Sequence, residues 1–221
     1  MGELQPPIFI GNIRIGEPTT TVTDLLVAAV CFYAFAKLNT QQDFRAKKYF
    51  RLYFLFLGVA TFWGAVITHA SIYYLSQPWK VPGWISSTWA VSLLAWAMVQ
   101  YHTNMIKKWV FAIKTIILIE LFAVMVVTIY TVEFKWAGAH SAFGLFLVVT
   151  TLAATSYIKN KDDGSRWMLY GIGVFLLSGI TFAAKLSLHT WFNHVDLTHV
   201  FLAIAAWVIY RSVVKMSSRK R

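Results

Sequence analysis

Seven apolar runs dominate this chain, at roughly 21–38, 52–75, 84–101, 108–131, 136–157, 167–187 and 194–214, each near the about 20 residues that a helix needs to cross the hydrocarbon layer of a bilayer. Lipid offers no water to an open backbone N–H or C=O, so runs of this kind must satisfy their own hydrogen bonds as helices. With 58% hydrophobic and 13% charged residues, little is left to build a soluble domain. The expected fold is all-α: an integral membrane bundle of seven transmembrane helices, one domain over residues 1–221 with an outer N-terminal segment at 1–20.

A net charge of +11 raises the question of nucleic acid. The basic residues are interleaved with the apolar runs rather than gathered on one polar face, so orientation in a membrane explains them better and no nucleic-acid partner is expected. With seven alternating helices, Lys37, Arg45, Lys47, Lys48, Arg51, Lys107, Lys108, Lys159, Lys161, Arg166, Arg211, Lys215 and Arg219 to Arg221 fall on one side. Only Arg14, Lys80, Lys135 and Lys185 fall on the other, with Lys114 inside the fourth run. The positive-inside rule then puts the N-terminus outside and the C-terminus in the cytoplasm, and the short connections suit a bacterial inner membrane. Residues Pro7 to Glu17, with Ile8, Ile10, Ile13 and Ile15 around Gly11-Asn12, predict a short hairpin capping the outer face. Trp79, Trp84, Trp89, Trp136 and Trp191 sit at outer helix ends, as an interfacial aromatic belt does.

Histidine placement carries the chemistry. His69 lies near the end of the second run, His140 near the start of the fifth, and His189, His194 and His199 bracket the start of the last, all toward the outer face; His102 stands alone on the inner side. Imidazoles gathered at one height with a carboxylate nearby are what a metal site needs. Cys31, the single cysteine, lies inside the first run, so a metal would take nitrogen and oxygen ligands. His69 and His199 are the leading ligands, with His194 or Asp196 as the third and His140 in reserve. Asp196 has a second reading, as a first-turn carboxylate behind an Asn193 N-cap. Asp24, at the entry to the first helix, reads either as a first-turn charge or as an acid assisting the site. Ser71 and Thr68 flank His69, and Gly64-Ala65 allow close helix approach. Glu120, near mid-membrane, needs a partner or a cavity.

The Glu17-Pro18 and Thr-rich entry to helix one, the Gly-containing second helix ending in His69, and the Asp196/His199 start of the last helix resemble the CREST superfamily of seven-helix membrane hydrolases, which includes alkaline ceramidases and adiponectin-receptor-like proteins. The resemblance implies a zinc-dependent intramembrane hydrolase acting on a lipid amide or ester, with His69 and His199 as ligands and a nearby Asp and Ser, here Asp196 or Asp24 and Ser71, assisting the reaction. Two positions depart from the family pattern. Val195 stands four residues before His199 where the family has His, so His194 or Asp196 must serve; Ala65 stands where the family has Ser, leaving Ser71, Thr68 or Thr61. Two readings from other classes stand beside it: a haem- or copper-binding redox protein using His69, His140 and His199, and a transporter or receptor using Glu120 and Lys185 as intramembrane charges.

Overall fold

A computed structural model of the chain describes residues 5–218; Arg219, Lys220 and Arg221, counted above among the basic residues, lie outside the described residues. The structure is mostly helical, at 77%. It begins with the expected hairpin. Strand β1 (Ile8–Ile10) pairs antiparallel with β2 (Ile13–Ile15), Ile10 opposite Ile13, and Gly11 supplies the positive φ of 60° that the two-residue turn requires.

Helix α1 (Pro18–Asn39) opens with proline in its first turn, where the missing N–H costs nothing. Helix α2 (Lys47–Trp63) continues into a π-helical segment, Gly64–Ala70. Then come α3 (Val81–Tyr101) and α4 (Val110–Thr131), followed by one rod formed by α5 (Phe134–Ala142), a second π-helical segment (Phe143–Val149) and α6 (Thr150–Asn160). The chain ends with α7 (Asp163–Ala183) and α8 (His194–Ser218). The second helical rod stops at Ala70, short of residue 75, and α7 stops at Ala183, short of 187. Ser71 there closes the rod by donating to the Val66 carbonyl (2.8 Å), and Lys185 leaves α7 with a left-handed φ of 52°.

Among the described residues, six rods are long and apolar enough to cross a membrane: Pro18–Asn39, Lys47–Ala70, Val110–Thr131, Phe134–Asn160, Asp163–Ala183 and His194–Ser217. The run at 84–101 also forms a helix, α3, but a less apolar one that carries Ser86, Ser87, Thr88 and Ser92. Its position explains this. Helix α3 packs on α2, α4 and the α5–α6 rod, and Ala90 to Ala95 are buried without a break, so its polar groups meet protein rather than lipid. Helix α4 is the opposite case, with only Ile117, Leu121 and Thr128 buried. Helices α7 and α8 pack closely. Gly171 meets Ile209, Gly164 meets Met216, and Ser212 Oγ donates to the Gly164 carbonyl (2.7 Å), the small-residue contact by which lipid-embedded helices associate. Helix α1 lies against α2 and α8, so the hairpin-side ends of these three elements face one another.

Candidate metal centre

Thr20, Thr23 and Asp24 are spaced i, i+3 and i+4 and so share one face of α1. That face meets His69 from the π-helical segment and His199 from the second turn of α8. The extra residue per turn of a π-helix re-aims side chains relative to the α-helix before it, and such segments recur at functional sites. Gly64 makes room for the approach: a Cβ there would collide with the Asp24 carboxylate.

The two imidazoles are held alike. His69 Nδ1 lies 2.6 Å from Glu17 Oε2, and a carboxylate can only accept, so Nδ1 carries the proton. Thr23 Oγ1 donates its one hydrogen to the Thr20 carbonyl (3.1 Å), so His199 Nδ1, at 3.2 Å, is the donor to that hydroxyl. Both Nε2 atoms therefore carry lone pairs, and both face Asp24: His69 Nε2 lies 3.7 Å from Oδ2 and His199 Nε2 3.4 Å from Oδ1. These separations are long for hydrogen bonds. They suit neighbouring donors on one tetrahedral ion, which at about 2.0–2.1 Å from its ligands sets them about 3.3 Å apart. Asp24, His69 and His199 form a group whose ligand atoms all lie within 4.8 Å of one another. The site is largely enclosed, with side-chain exposures of 5% for Asp24, 15% for His69 and 13% for His199.

Asp196 stands outside this group. It is fully buried, and both oxygens are engaged: Oδ1 accepts from Thr20 Oγ1 (2.8 Å), Oδ2 from Gln5 Nε2 (2.6 Å) and from the Asn193 backbone N–H (2.6 Å). Asn193 Oδ1 in turn accepts from Val195 N (2.8 Å), which makes a reciprocal cap at the start of α8. Of the two readings of Asp196, its contacts match the capping one; it touches the donor set only through Thr20 and Thr23. His194, the first residue of α8, packs its ring 5.9 Å from Phe182, and His189 Nδ1 accepts from Trp191 N in the preceding loop, so neither joins the group. Ser71 faces its own helix end.

His140 and Glu120 form a separate pair. His140 is 1% exposed; its Nδ1 lies 2.5 Å from Glu120 Oε2, and its Nε2 faces the Thr88 carbonyl (2.9 Å) and Ser92 Oγ (3.2 Å) of α3. Glu120 thereby finds its partner inside the bundle. At the other end of the bundle, His102 Nδ1 meets the Met98 carbonyl (2.9 Å) and Nε2 the Ser165 hydroxyl (3.3 Å).

Sequence reasoning noted the Glu17-Pro18 and Thr-rich entry but gave Glu17 and Thr23 no role at the centre. Glu17 holds a left-handed φ of 38° immediately before a proline, a conformation that costs a non-glycine residue about 1–3 kcal/mol and persists where the surroundings fix it. Its carboxylate is bound to His69 and its carbonyl accepts from Thr21 N (2.9 Å). The available signal was a Glu-Pro entry followed by hydroxyl residues at helical spacing from an aspartate inside an apolar run.

Apolar helices of membrane-spanning length around a shielded His, His, Asp donor set define a multi-pass helical membrane protein with a candidate metal centre. The chain belongs to DUF6962, a family of unknown function, whose model matches residues 19–218 and so takes in all three donors. No curated protein matches it.

Proposed function

We propose that this protein is a zinc-dependent intramembrane hydrolase of a lipid amide or ester, with Asp24, His69 and His199 holding the metal. One observation carries the reading: the Nε2 atoms of both imidazoles, whose Nδ1 hydrogens are taken by Glu17 and Thr23, converge with the Asp24 carboxyl in one group. A cation at the centre of such an arrangement is stabilised by all three groups. Two imidazoles and a carboxylate are a donor set used by catalytic zinc, which retains an open position. A zinc ion there supplies a Lewis acid and brings a bound water's pKa toward neutrality. Glu17 and Thr23 fix the rings and keep their tautomers, as partners behind metal ligands do. Asp24 would hold the ion through one carboxylate oxygen, which would leave the other to hold a proton next to the reacting atoms.

Zinc is favoured over haem because the Asp24 carboxylate occupies the space between the two imidazoles that a porphyrin would fill. The assignment of His69 and His199 follows the CREST resemblance, with Asp24 in place of the third histidine. Val22, Leu25 and Leu26, beside Asp24, are exposed on the outside of the bundle, which suits a substrate arriving sideways from the bilayer. In this reading all seven helices cross a bacterial inner membrane, with the N-terminus and the metal outside and the basic ends cytoplasmic. The test is turnover of a panel of ceramides, other acyl amides and acyl esters by nanodisc-embedded protein. Hydrolysis that chelation abolishes, zinc restores and Asp24→Asn removes is expected. Zinc-loaded protein that hydrolyses none of the panel contradicts the hydrolase assignment while leaving the metal site standing.

A further inference from the structure

At the opposite end of the bundle the helix ends enclose a cavity of about 680 Å³, lined from the α1–α2 connection, the α3–α4 connection and the ends of α6 and α8. Its charged lining side chains are cations, Arg45 and Lys159; among its described lining residues none is acidic, and Gln100, Thr103, Asn104 and Asn160 add hydrogen-bonding groups. A third cation stands beside it, since Lys114 Nζ donates to Gln100 Oε1 (2.7 Å) and so leaves the amide NH2 for another partner. A carboxylate behind the wall, Asp162, accepts from Tyr101 Oη (3.3 Å), Ser156 Oγ (3.5 Å) and Ser165 N (3.1 Å).

A concave polar site with positive charge in its lining, and with the Asp162 carboxylate turned to donors behind the wall, selects an anion. The volume is far larger than inorganic phosphate needs and lies within the about 300–1,000 Å³ of small-molecule sites. We propose that this cavity binds a phosphate monoester or diester of headgroup size, with Arg45 and Lys159 as its charge partners and the amides of Gln100, Asn104 and Asn160 around the attached alcohol. Basic pockets between membrane helices take lipid headgroups in this way, and a soluble organophosphate offers the same chemistry.

The test uses the full chain in phosphatidylcholine nanodiscs, with phosphatidylglycerol added in one arm and glycerol 3-phosphate titrated in the other, and reads the thermal unfolding midpoint. Saturable stabilisation is expected in at least one arm. Each cation removed weakens it about fivefold, so R45Q/K159Q shifts the half-saturating concentration roughly twenty-five-fold, whereas R211Q, at the same end but outside the cavity, leaves it unchanged. Stabilisation by phosphatidylglycerol alone identifies a lipid headgroup; stabilisation by glycerol 3-phosphate identifies a soluble ester. Should the double variant not fold, K159Q alone, at an exposed helix end, still carries the fivefold shift. No saturable effect in either arm, or equal half-saturation in wild type and the cavity variants, overturns the proposal.

Discussion

At the scale of single residues, the centre depends on side chains that do not face the metal position. Glu17 accepts from His69 Nδ1 at 2.6 Å, and removing such a partner typically lowers metal affinity 10- to 100-fold. Glu17→Ala is therefore expected to weaken zinc binding about that much in a chelator competition, and Glu17→Gln, which keeps an acceptor oxygen, by less. Asp196 separates the readings more sharply. Its bonds to Thr20, Gln5 and Asn193 predict that Asp196→Ala lowers the unfolding midpoint, at a cost of about 1–3 kcal/mol for each buried donor left unpaired, while zinc stoichiometry is unchanged. Loss of zinc with the fold intact would make Asp196 a ligand after all. His140→Ala leaves Glu120 unpaired inside the membrane and is expected to cost about 3–5 kcal/mol. Glu120→Gln, still an acceptor for Nδ1–H, should cost less, and neither change should alter metal content.

At the scale of elements, the centre depends on how closely α1 and the π-helical end of the α2 rod approach. Gly64→Ala places a methyl against the Asp24 carboxylate, so the expected result is a folded protein with reduced zinc affinity; affinity equal to wild type would show that α1 moves to absorb it. Much of the element pattern was legible in the sequence, since apolar length betrays a membrane helix and Ile8 to Ile15 around Gly11-Asn12 betrays a hairpin. His69 and His199 were also legible, because an imidazole inside an apolar run is costly without a purpose. Asp24, their third companion, reads in the sequence as an assisting acid or a first-turn charge and not as a ligand. Asp24 near a helix start resembles an ordinary first-turn charge, and only the π-helical turn at Gly64–Ala70, which no local propensity announces, turns His69 toward it. Asp196 was ambiguous for the same reason: spacing puts it on the face of His199, and only the arrival of Gln5 and Thr20 from a distant part of the chain decides where its oxygens go.

At the scale of the whole molecule, six apolar helices and a seventh, more polar one sheltered among them put the donor set at one end and the basic cavity at the other. The proposed orientation predicts that, in a Cys31→Ser background, a cysteine at Lys80 is labelled by a membrane-impermeant maleimide in intact cells and one at Lys161 only after lysis; the reverse pattern would invert the molecule. The most direct measurement is elemental analysis of the detergent-purified protein beside folded Asp24→Asn, His69→Gln and His199→Gln variants. Near-stoichiometric zinc in the wild type and its loss in all three is the expected result, and a metal-free wild type, or zinc indifferent to all three substitutions, would contradict the metal centre.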